Sequence, residues 1–180
     1  MTTVAKARFA RIVLPRLDEA HRLARWLTGS ATDADDVMQE ACLRAYRSIE
    51  TVAEGSARAW FLTIVRNASY SWLRKHRQSE LTFIDDLDAA SRSSLETGTL
   101  IADVAKTPED VLIAKTDAAR LIAAVDALPL LMREALVLRE YHGLSYREIA
   151  EVTSVPIGTV MSRLANGRKH LLKWAKEDRR

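Results

Sequence analysis

The stretch "LSYREIAEVTSVPIGTVMSRLANGRKHL", residues 144–171, has the pattern of two short helices separated by a tight turn. Ser145 and Glu148 form the S-x-x-E pattern of a capping box, which predicts that a helix begins at the residue after the serine. The chain then turns through Thr153–Val155, and Pro156 opens a second helix, because proline is favoured in the first helical turn. Two helices joined in this way predict a helix-turn-helix.

The outward face of the second helix indicates DNA binding. It carries hydrogen-bond donors and no acidic residue as far as the end of the quoted stretch: Thr159, Ser162, Arg163, Asn166, Arg168 and Lys169. A purely structural hairpin, which is the alternative, normally mixes both signs of charge on its solvent face. We expect Arg163, Arg168 and Lys169 to contact phosphates or base edges, with Thr159 and Ser162 near the groove.

A second basic stretch, "WFLTIVRNASYSWLRKHR", residues 60–77, has apolar residues at helical spacing and a polar face without acids. The polar face consists of Arg66, Asn67, Tyr70, Arg74, Lys75 and Arg77. Aromatic residues interleaved with basic ones suit single-stranded nucleic acid, because bases stack and cations follow the backbone. Trp60, Phe61 and Trp72 are interpreted instead as core residues.

The remaining pattern is also helical, and the predicted fold class is all-α. A first helical segment, Thr3–Thr28, contains Pro15, which is expected to kink or divide it. Thr32 is expected to cap a second helix, "DADDVMQEACLRAYRSI", with acidic residues in its first turn. Ser56 is expected to cap the third helix, which contains the basic stretch.

A connector divides the chain into two small helical domains. Residues 79–107 show no sustained period, and residues 80–110 carry eight acidic residues against two basic ones. Thr107 is expected to cap the next helix, which is followed by a helix over 130–141. The predicted domains are residues 1–79 and 108–180, joined by a flexible acidic linker over 80–107. Acidic residues between two basic modules favour nucleic-acid contacts by both modules.

Several classes of protein are not expected from this sequence. Cys42 is the only cysteine and lies among apolar neighbours, so no internal disulfide can form and inert packing is favoured. We find no metal-ligand spacing, phosphate loop or nucleophile motif, and we therefore predict no metal, no cofactor and no enzymatic activity. No apolar run reaches the roughly 18 residues of a membrane helix, and no secretory signal is evident, so we expect a cytoplasmic protein without membrane insertion.

Three stretches together resemble bacterial RNA polymerase sigma factors of the extracytoplasmic-function type. "DADDVMQEACLRAYRSI" is similar to region 2.2 of that family, and "ARAWFLTIVRNASYSWLRKHR" resembles regions 2.3 and 2.4. "LPLLMREALVLREYHGLSYREIAEVTSVPIGTVMSRLANGRKHL" closely resembles region 4. The resemblance covers almost the whole chain except the connector. It implies a promoter-specificity subunit that binds core polymerase, recognises the −35 and −10 elements and promotes DNA melting.

The resemblance also implies partners and site residues. The residues that match the acidic face presented to the clamp of the largest catalytic subunit are Asp35, Asp36, Gln39 and Glu40. Region 4 would contact the flap of the second large subunit, and an anti-sigma factor would hold the protein inactive. The alternative is a stand-alone helix-turn-helix regulator, which would have no use for the acidic face.

For promoter DNA, the resemblance assigns the basic face of the third helix to the −10 element. The loop Ile49–Ser56 and Asn67 match the pocket for a base flipped out of the melted strand. Residues Pro156–Lys169 would dock on the −35 duplex. Met161 and Asn166 stand where many family members carry arginine, which leaves the −35 sequence open but not the mode of binding.

Overall fold

The computed structural model describes residues 3–76 and 119–178, and both ranges are helical apart from short connections. In chain order the helices are α1 (Thr3–Ile12), α2 (Leu17–Thr28), α3 (Ala31–Ser48), α4 (Ala57–His76), α5 (residues 119–126), α6 (Leu130–Leu136), α7 (Tyr146–Thr153) and α8 (Ile157–Asp178). A π-helical segment, Val137–Tyr141, continues α6. The helical class predicted from the sequence is confirmed. The linker over 80–107, the cap at Thr107 and the residues of the next helix before 119 lie outside the described residues.

Pro15 divides the first predicted helix, as expected. The α-helical pattern ends at Ile12, and a short 3-10 turn, Leu14–Arg16, leads into α2. A proline inside an α-helix removes one backbone donor and crowds the preceding turn, so a break at this point is favoured. Gly29 then closes α2 in the left-handed conformation, with φ of 74°, which a glycine adopts without the steric penalty of a side chain.

The start of α3 differs from the prediction that Thr32 is its cap. Ser30 occupies the capping position, with an extended backbone and a side-chain oxygen that accepts the Asp33 N–H at 3.4 Å. The preceding helix ends at left-handed Gly29, as expected, but the hydroxyl of the very next residue already caps α3, two residues before Thr32. Asp33 therefore lies in the first turn, whereas Asp35 and Asp36 lie beyond it.

The first module, residues 3–76, is a bundle in which α2, α3 and α4 pack against one another. Alanines are fully buried on the facing sides of α2 and α3, and this allows the helices to approach closely. Phe61, Leu62 and Val65 of α4 fill the space between them. Trp60 and Trp72 are partly buried against this core, which agrees with their interpretation as packing residues.

The second module, residues 119–178, contains the predicted helix-turn-helix. The capping box is present, because the Ser145 N–H donates to Glu148 Oε2 at 2.7 Å and the Ser145 hydroxyl oxygen accepts the Glu148 N–H. Ser154 adopts a left-handed conformation with φ of 56° and makes the tight turn between α7 and α8. Val160 and Leu164 of α8 are buried, as the spacing predicted.

A glycine sets the distance between α8 and α6. A Cβ atom added at Gly167 would lie 2.7 Å from Cδ1 and 3.2 Å from Cγ of Leu136. Contacts this short require a shift of the neighbouring side chain, so a residue without a side chain permits the observed packing. Of the helices within residues 3–76 and 119–178, none is both long and apolar enough to cross a bilayer.

The two modules pack against each other. Helix α4 contacts α7, and α2 contacts α6 and the π-helical segment. The buried apolar residues of both modules belong to one continuous cluster. Residues at this junction therefore have neighbours in both modules.

Candidate polymerase and nucleic-acid interfaces

Helix α3 presents an exposed polar face on the side opposite its buried residues. All four predicted polymerase-contacting residues are exposed on it: Asp35, Asp36, Gln39 and Glu40. Two of them have neighbours within the module, since His21 Nε2 lies 2.9 Å from Asp35 Oδ1 and Arg44 Nε donates to Glu40 Oε1 at 2.7 Å. Leu43, one turn further on, is 54% exposed, so the face combines acidic, amide and apolar groups.

The loop between α3 and α4 is anchored at two points and open elsewhere. Ile49 and Val52 are buried, and the Val52 carbonyl accepts a hydrogen bond from Arg8. Gly55 is exposed, with no other group close to where a Cβ would lie. Asn67 is exposed on α4, the helix that follows the loop, and its Oδ1 accepts a long hydrogen bond from Arg66 Nη1 at 3.5 Å.

The predicted −10 face of α4 is divided between solvent and the second module. Asn67, Arg74 and Lys75 are exposed. Arg66 and Tyr70 instead lie against the second module, where Arg66 bonds to an acid of α6. Arg77 lies outside the described residues.

The recognition helix α8 also differs in part from the prediction. The exposed candidates are Met161 and Lys169 on α8 and Pro156 directly before it, and the half-buried candidates on α8 are Thr159, Ser162, Asn166 and Arg168. The Ser162 hydroxyl donates to the Thr159 carbonyl at 2.9 Å, and Arg168 Nη2 donates to Glu140 Oε1 at 2.7 Å. Met161 is 40% exposed, so the face offers an apolar group among donors.

The expectation that Arg163 points outward is wrong for this arrangement of the chain. Its residue exposure is 5%. On α8 it lies beside Leu164 and within about one turn of Val160 and Gly167, which are all buried. The step of three residues from Val160 and of four residues to Gly167 places Arg163 on the core-facing side of α8, and its charge acts on Tyr70 of the first module.

Glu134 of α6 lies at the centre of a cluster between the modules. Its carboxylate accepts from Arg66 Nε at 2.7 Å and from Arg66 Nη2 at 3.4 Å. The side chains of Arg66 and Glu134 are 15% and 1% exposed, respectively. The Arg66 guanidinium also lies 4.4 Å from the centroid of the Tyr70 ring. We call Arg66, Tyr70, Glu134 and Arg163 the Glu134 cluster.

The electrostatics of this cluster follow from burial and charge. Burial raises the pKa of the Tyr70 hydroxyl well above its ordinary value, and the charge of Glu134 raises it further. Arg66 and Arg163 act in the opposite direction, which places both cations within range of the phenol. Burial alone would lower the pKa of Arg66, but the Glu134 charge reverses this and raises it. The cluster therefore holds a neutral phenol and a charged guanidinium.

A second polar network joins the modules at Glu19. Arg58 Nε donates to Glu19 Oε1 at 3.0 Å, and Arg58 Nη2 donates to the carbonyl oxygen of His142. The His142 side chain is 1% exposed, with Nδ1 3.4 Å from Glu19 Oε1. Burial alone would raise the pKa of Glu19, but hydrogen bonds from His142 and Arg58 outweigh it and lower the pKa to about 2.

Replacing Glu19 with glutamine is expected to reduce the free energy of unfolding by about 1–2 kcal/mol at pH 7, because the lowered pKa favours the carboxylate while solvent screens part of that effect. Because the folded-state pKa lies below the unfolded value of about 4.5, this stabilisation is complete above that value. It is lost as the pH falls toward 2. Urea denaturation of both proteins between pH 7 and pH 3 should show the difference narrowing below about pH 4.5. A difference that does not change with pH would contradict this account.

Sequence reasoning missed Glu134, Glu19, Arg58 and His142. Their partners lie on the other module or on a distant helix, so helical periodicity carries no information about them. One signal was present for Glu134, because it follows Arg133 within the otherwise apolar run "LPLLMREALVL". Charged residues in an apolar stretch are usually paired when buried, and a partner could have been sought on that ground.

Cys42 lies half-buried on α3. Burial raises the pKa of its thiol, which reduces the fraction of reactive thiolate. This environment supports the interpretation of Cys42 as a packing residue.

Comparison with known proteins places this geometry in a family. The chain matches the models for Sigma-70 region 2 over residues 12–79 and Sigma-70, region 4 over residues 118–171. It is 33% identical over 141 residues to the ECF RNA polymerase sigma-E factor of Haemophilus influenzae, covering 78% of this chain and 73% of the relative. The chain belongs to the ECF sigma factors of the sigma-70 family.

Other members of the family show the same relationship. The chain is 31% identical over 161 residues to the ECF RNA polymerase sigma factor SigE of Mycolicibacterium smegmatis, covering 89% of this sigma factor and 58% of that relative. The solved structure of the sigma factor RpoE in complex with the anti-sigma factor NepR from Bartonella quintana matches with a TM-score of 0.65 and 25% identity. That match covers 93% of this chain and 96% of the other, so the likeness includes both modules.

Proposed function

We propose that this sigma factor is a promoter-specificity subunit of bacterial RNA polymerase and acts in the cytoplasm as a binding factor, not as an enzyme. The first module binds core polymerase through α3 and engages the −10 element through α4. The second module binds the −35 element through α8. The observation that carries the proposal is the exposed face of α3, because a DNA-binding regulator that acts alone has no use for it.

The position of the acids on α3 supports a partner for this face. Acidic residues in the first turn of a helix are stabilised by the helix dipole, and that effect falls off beyond this turn. Ser30 caps α3, so Asp35 and Asp36 lie beyond the range in which the dipole would explain them. An exposed group of two acids, Gln39 and Glu40 is complementary to a basic surface on the polymerase clamp.

The first module also has the features needed to hold a melted strand. Extruding a base from the duplex costs a few kcal/mol of stacking, so a pocket for that base both selects sequence and stabilises the open strand. The loop 49–56 is fixed to the core by Ile49 and Val52, and Asn67 offers an exposed amide on the following helix. Arg74 and Lys75 are exposed on α4 and supply positive charge for the backbone.

The second module supports −35 recognition through α8. In a helix-turn-helix, the N-terminal residues of the second helix contact base edges in the major groove. Thr159, Met161 and Ser162 lie in this part of α8, Pro156 directly precedes it, and Lys169 is exposed further along it. We assign Lys169 to phosphate contact, whereas Met161 can contact a thymine methyl group.

We also propose that an anti-sigma factor controls this protein. The structurally similar RpoE of Bartonella quintana was solved in complex with the anti-sigma factor NepR. The likeness to that protein extends over both modules, and the present chain holds its modules together in an arrangement that covers part of both DNA-binding faces. An inhibitor that stabilises such an arrangement would prevent promoter binding.

Binding to purified core polymerase tests the proposed function against the stand-alone regulator. Fluorescently labelled protein is titrated with core polymerase that lacks other sigma factors, and the resulting complex is then titrated with fork-junction DNA carrying −35 and −10 sequences. A sigma factor binds core polymerase first and DNA through it. DNA binding that is unaffected by polymerase, with no association between the proteins, would support the regulator instead.

Replacing Asn67 with alanine is expected to impair melting more than binding. The loss of the amide removes contacts to the extruded base, and we expect about a tenfold to hundredfold lower rate of open-complex formation. Permanganate reactivity of −10 thymines in the reconstituted holoenzyme measures melting, and filter binding to duplex promoter measures closed-complex affinity. Replacement of the exposed Ser71 on the same helix is the matched control. Equal effects of the two substitutions would contradict the assignment.

A further inference from the structure

The Glu134 cluster brings candidate residues from both DNA-binding faces close together, and its acid bonds directly to Arg66. Arg66 and Tyr70 belong to the −10 face, and Arg163 belongs to the −35 face. Arg66 bonds to Glu134 through two nitrogens, and the charges of Glu134 and Arg163 both act on Tyr70. While the modules stay packed in this way, these three residues are withdrawn from any nucleic acid.

The chemistry of the contact is that of phosphate recognition. A carboxylate and a phosphate both accept two parallel hydrogen bonds from one guanidinium. The Glu134 carboxylate has this geometry toward Arg66, at 2.7 Å and 3.4 Å. Glu134 thus occupies the donors that a DNA phosphate would otherwise occupy.

A buried ion pair also suits an interface that opens. Such pairs add little net stability compared with apolar residues of similar volume, because both charges lose their hydration. On separation of the modules, Arg66 and Glu134 regain water, whereas an apolar contact in their place would expose hydrophobic surface. The pair therefore favours one defined closed arrangement, while the free energy needed to separate the modules stays small.

We propose that Glu134 is an internal substitute for a DNA phosphate, which holds Arg66 and Tyr70 against the second module and keeps the free sigma factor closed. This inference rests on the proposed function. The Glu19 network, with Arg58 and His142, adds a second polar contact across the same junction. Promoter DNA and the closed arrangement then compete for the same side chains, and polymerase binding has to separate the modules.

Two substitutions of Glu134 test the proposal without polymerase. Glu134→Gln removes the charge, and Glu134→Asp keeps the charge but shortens the reach to Arg66. Donor and acceptor dyes are placed at Val4→Cys and Lys173→Cys, two highly exposed positions on different modules, in a Cys42→Ala background. Both Glu134 variants are expected to lower energy transfer and to increase affinity of the free chain for fork-junction DNA about tenfold.

Glu140→Gln is the matched control. Glu140 is an acid of the same module that also bonds to a candidate DNA-binding arginine, but the pair with Arg168 lies within the second module and is solvent-exposed. Its replacement is expected to leave energy transfer unchanged and to alter DNA affinity by no more than about threefold. Circular dichroism and thermal unfolding of each variant establish that both modules remain folded.

Unchanged energy transfer in both folded Glu134 variants would overturn the proposal. A decrease in energy transfer without any gain in DNA affinity would overturn it as well. If Glu134→Gln does not fold, Glu134→Asp and the wild-type chain titrated with salt provide the same comparison of distance with DNA affinity. Transcription by the wild-type chain with core polymerase is measured in parallel. A lack of transcription would contradict the proposed function, whereas unchanged energy transfer in the variants would contradict the closed arrangement.

Discussion

Reversing the charge of Asp36 and Glu40 together, by replacing both with lysine, is expected to abolish detectable binding to core polymerase. Both side chains are exposed on α3 and face a basic partner in the proposed complex. Replacing complementary charges with like charges at an interface costs several kcal/mol, so the affinity should fall by about two orders of magnitude or more. Titration of labelled protein with core polymerase measures this, and run-off transcription should be lost in parallel.

The control for this prediction is Asp18→Lys. Asp18 is an exposed acid on α2 of the same module, outside the predicted polymerase-contacting residues. Its reversal changes the net charge in the same direction, and only a small loss of affinity is expected. If Asp18→Lys were as damaging as the double substitution, the contribution of α3 would be general electrostatic attraction and not a defined contact.

The second large effect is expected from locking the two modules together. The Arg22 guanidinium lies 5.6 Å from the centroid of the Tyr141 ring, across the junction between the modules, and both residues are exposed. Cysteines introduced at these two positions in a Cys42→Ala background can be joined by a bismaleimide that contains a cleavable disulfide. The crosslinked chain should bind promoter DNA with core polymerase at least about tenfold more weakly, because it cannot leave the closed arrangement.

Cleavage of the crosslinker by a reducing agent should restore binding and transcription. Each single-cysteine variant, treated with the same reagent, controls for modification of Arg22 or Tyr141 alone. Full activity of the crosslinked chain would show that the modules function while packed as in this structure. That result would leave the Glu134 cluster without an inhibitory role.

Local sequence patterns predicted most of the individual helices. The break at Pro15, the capping box at Ser145 and the buried positions Val160 and Leu164 all depend on interactions within one or two helical turns. The wrong prediction that Thr32 caps α3 also concerns interactions within one helical turn. Ser30 and Thr32 are both good capping residues, and the conformation of Gly29 decides between them.

The packing of the modules was not predictable in this way. Arg163 is expected on the outward face of the recognition helix, but it is 5% exposed and its charge acts on Tyr70 of the other module. Arg66 and Glu134 are 68 residues apart, so their pairing depends on tertiary structure alone. Gly167 is a further example. Glycine lowers the helix propensity of a sequence, but in the fold the missing side chain at this position leaves room for Leu136. Contacts between distant elements thus account for the main differences between expectation and structure.

Transcription by a reconstituted holoenzyme tests the central claim most directly. Purified chain and sigma-free core polymerase are incubated with a library of promoter fragments, and run-off transcripts are sequenced. The account predicts transcripts that start at defined positions downstream of shared −35 and −10 sequences, with none from core polymerase alone and none from the Asp36→Lys, Glu40→Lys variant. Transcripts that are no more frequent or more specific than those from core polymerase alone would contradict it.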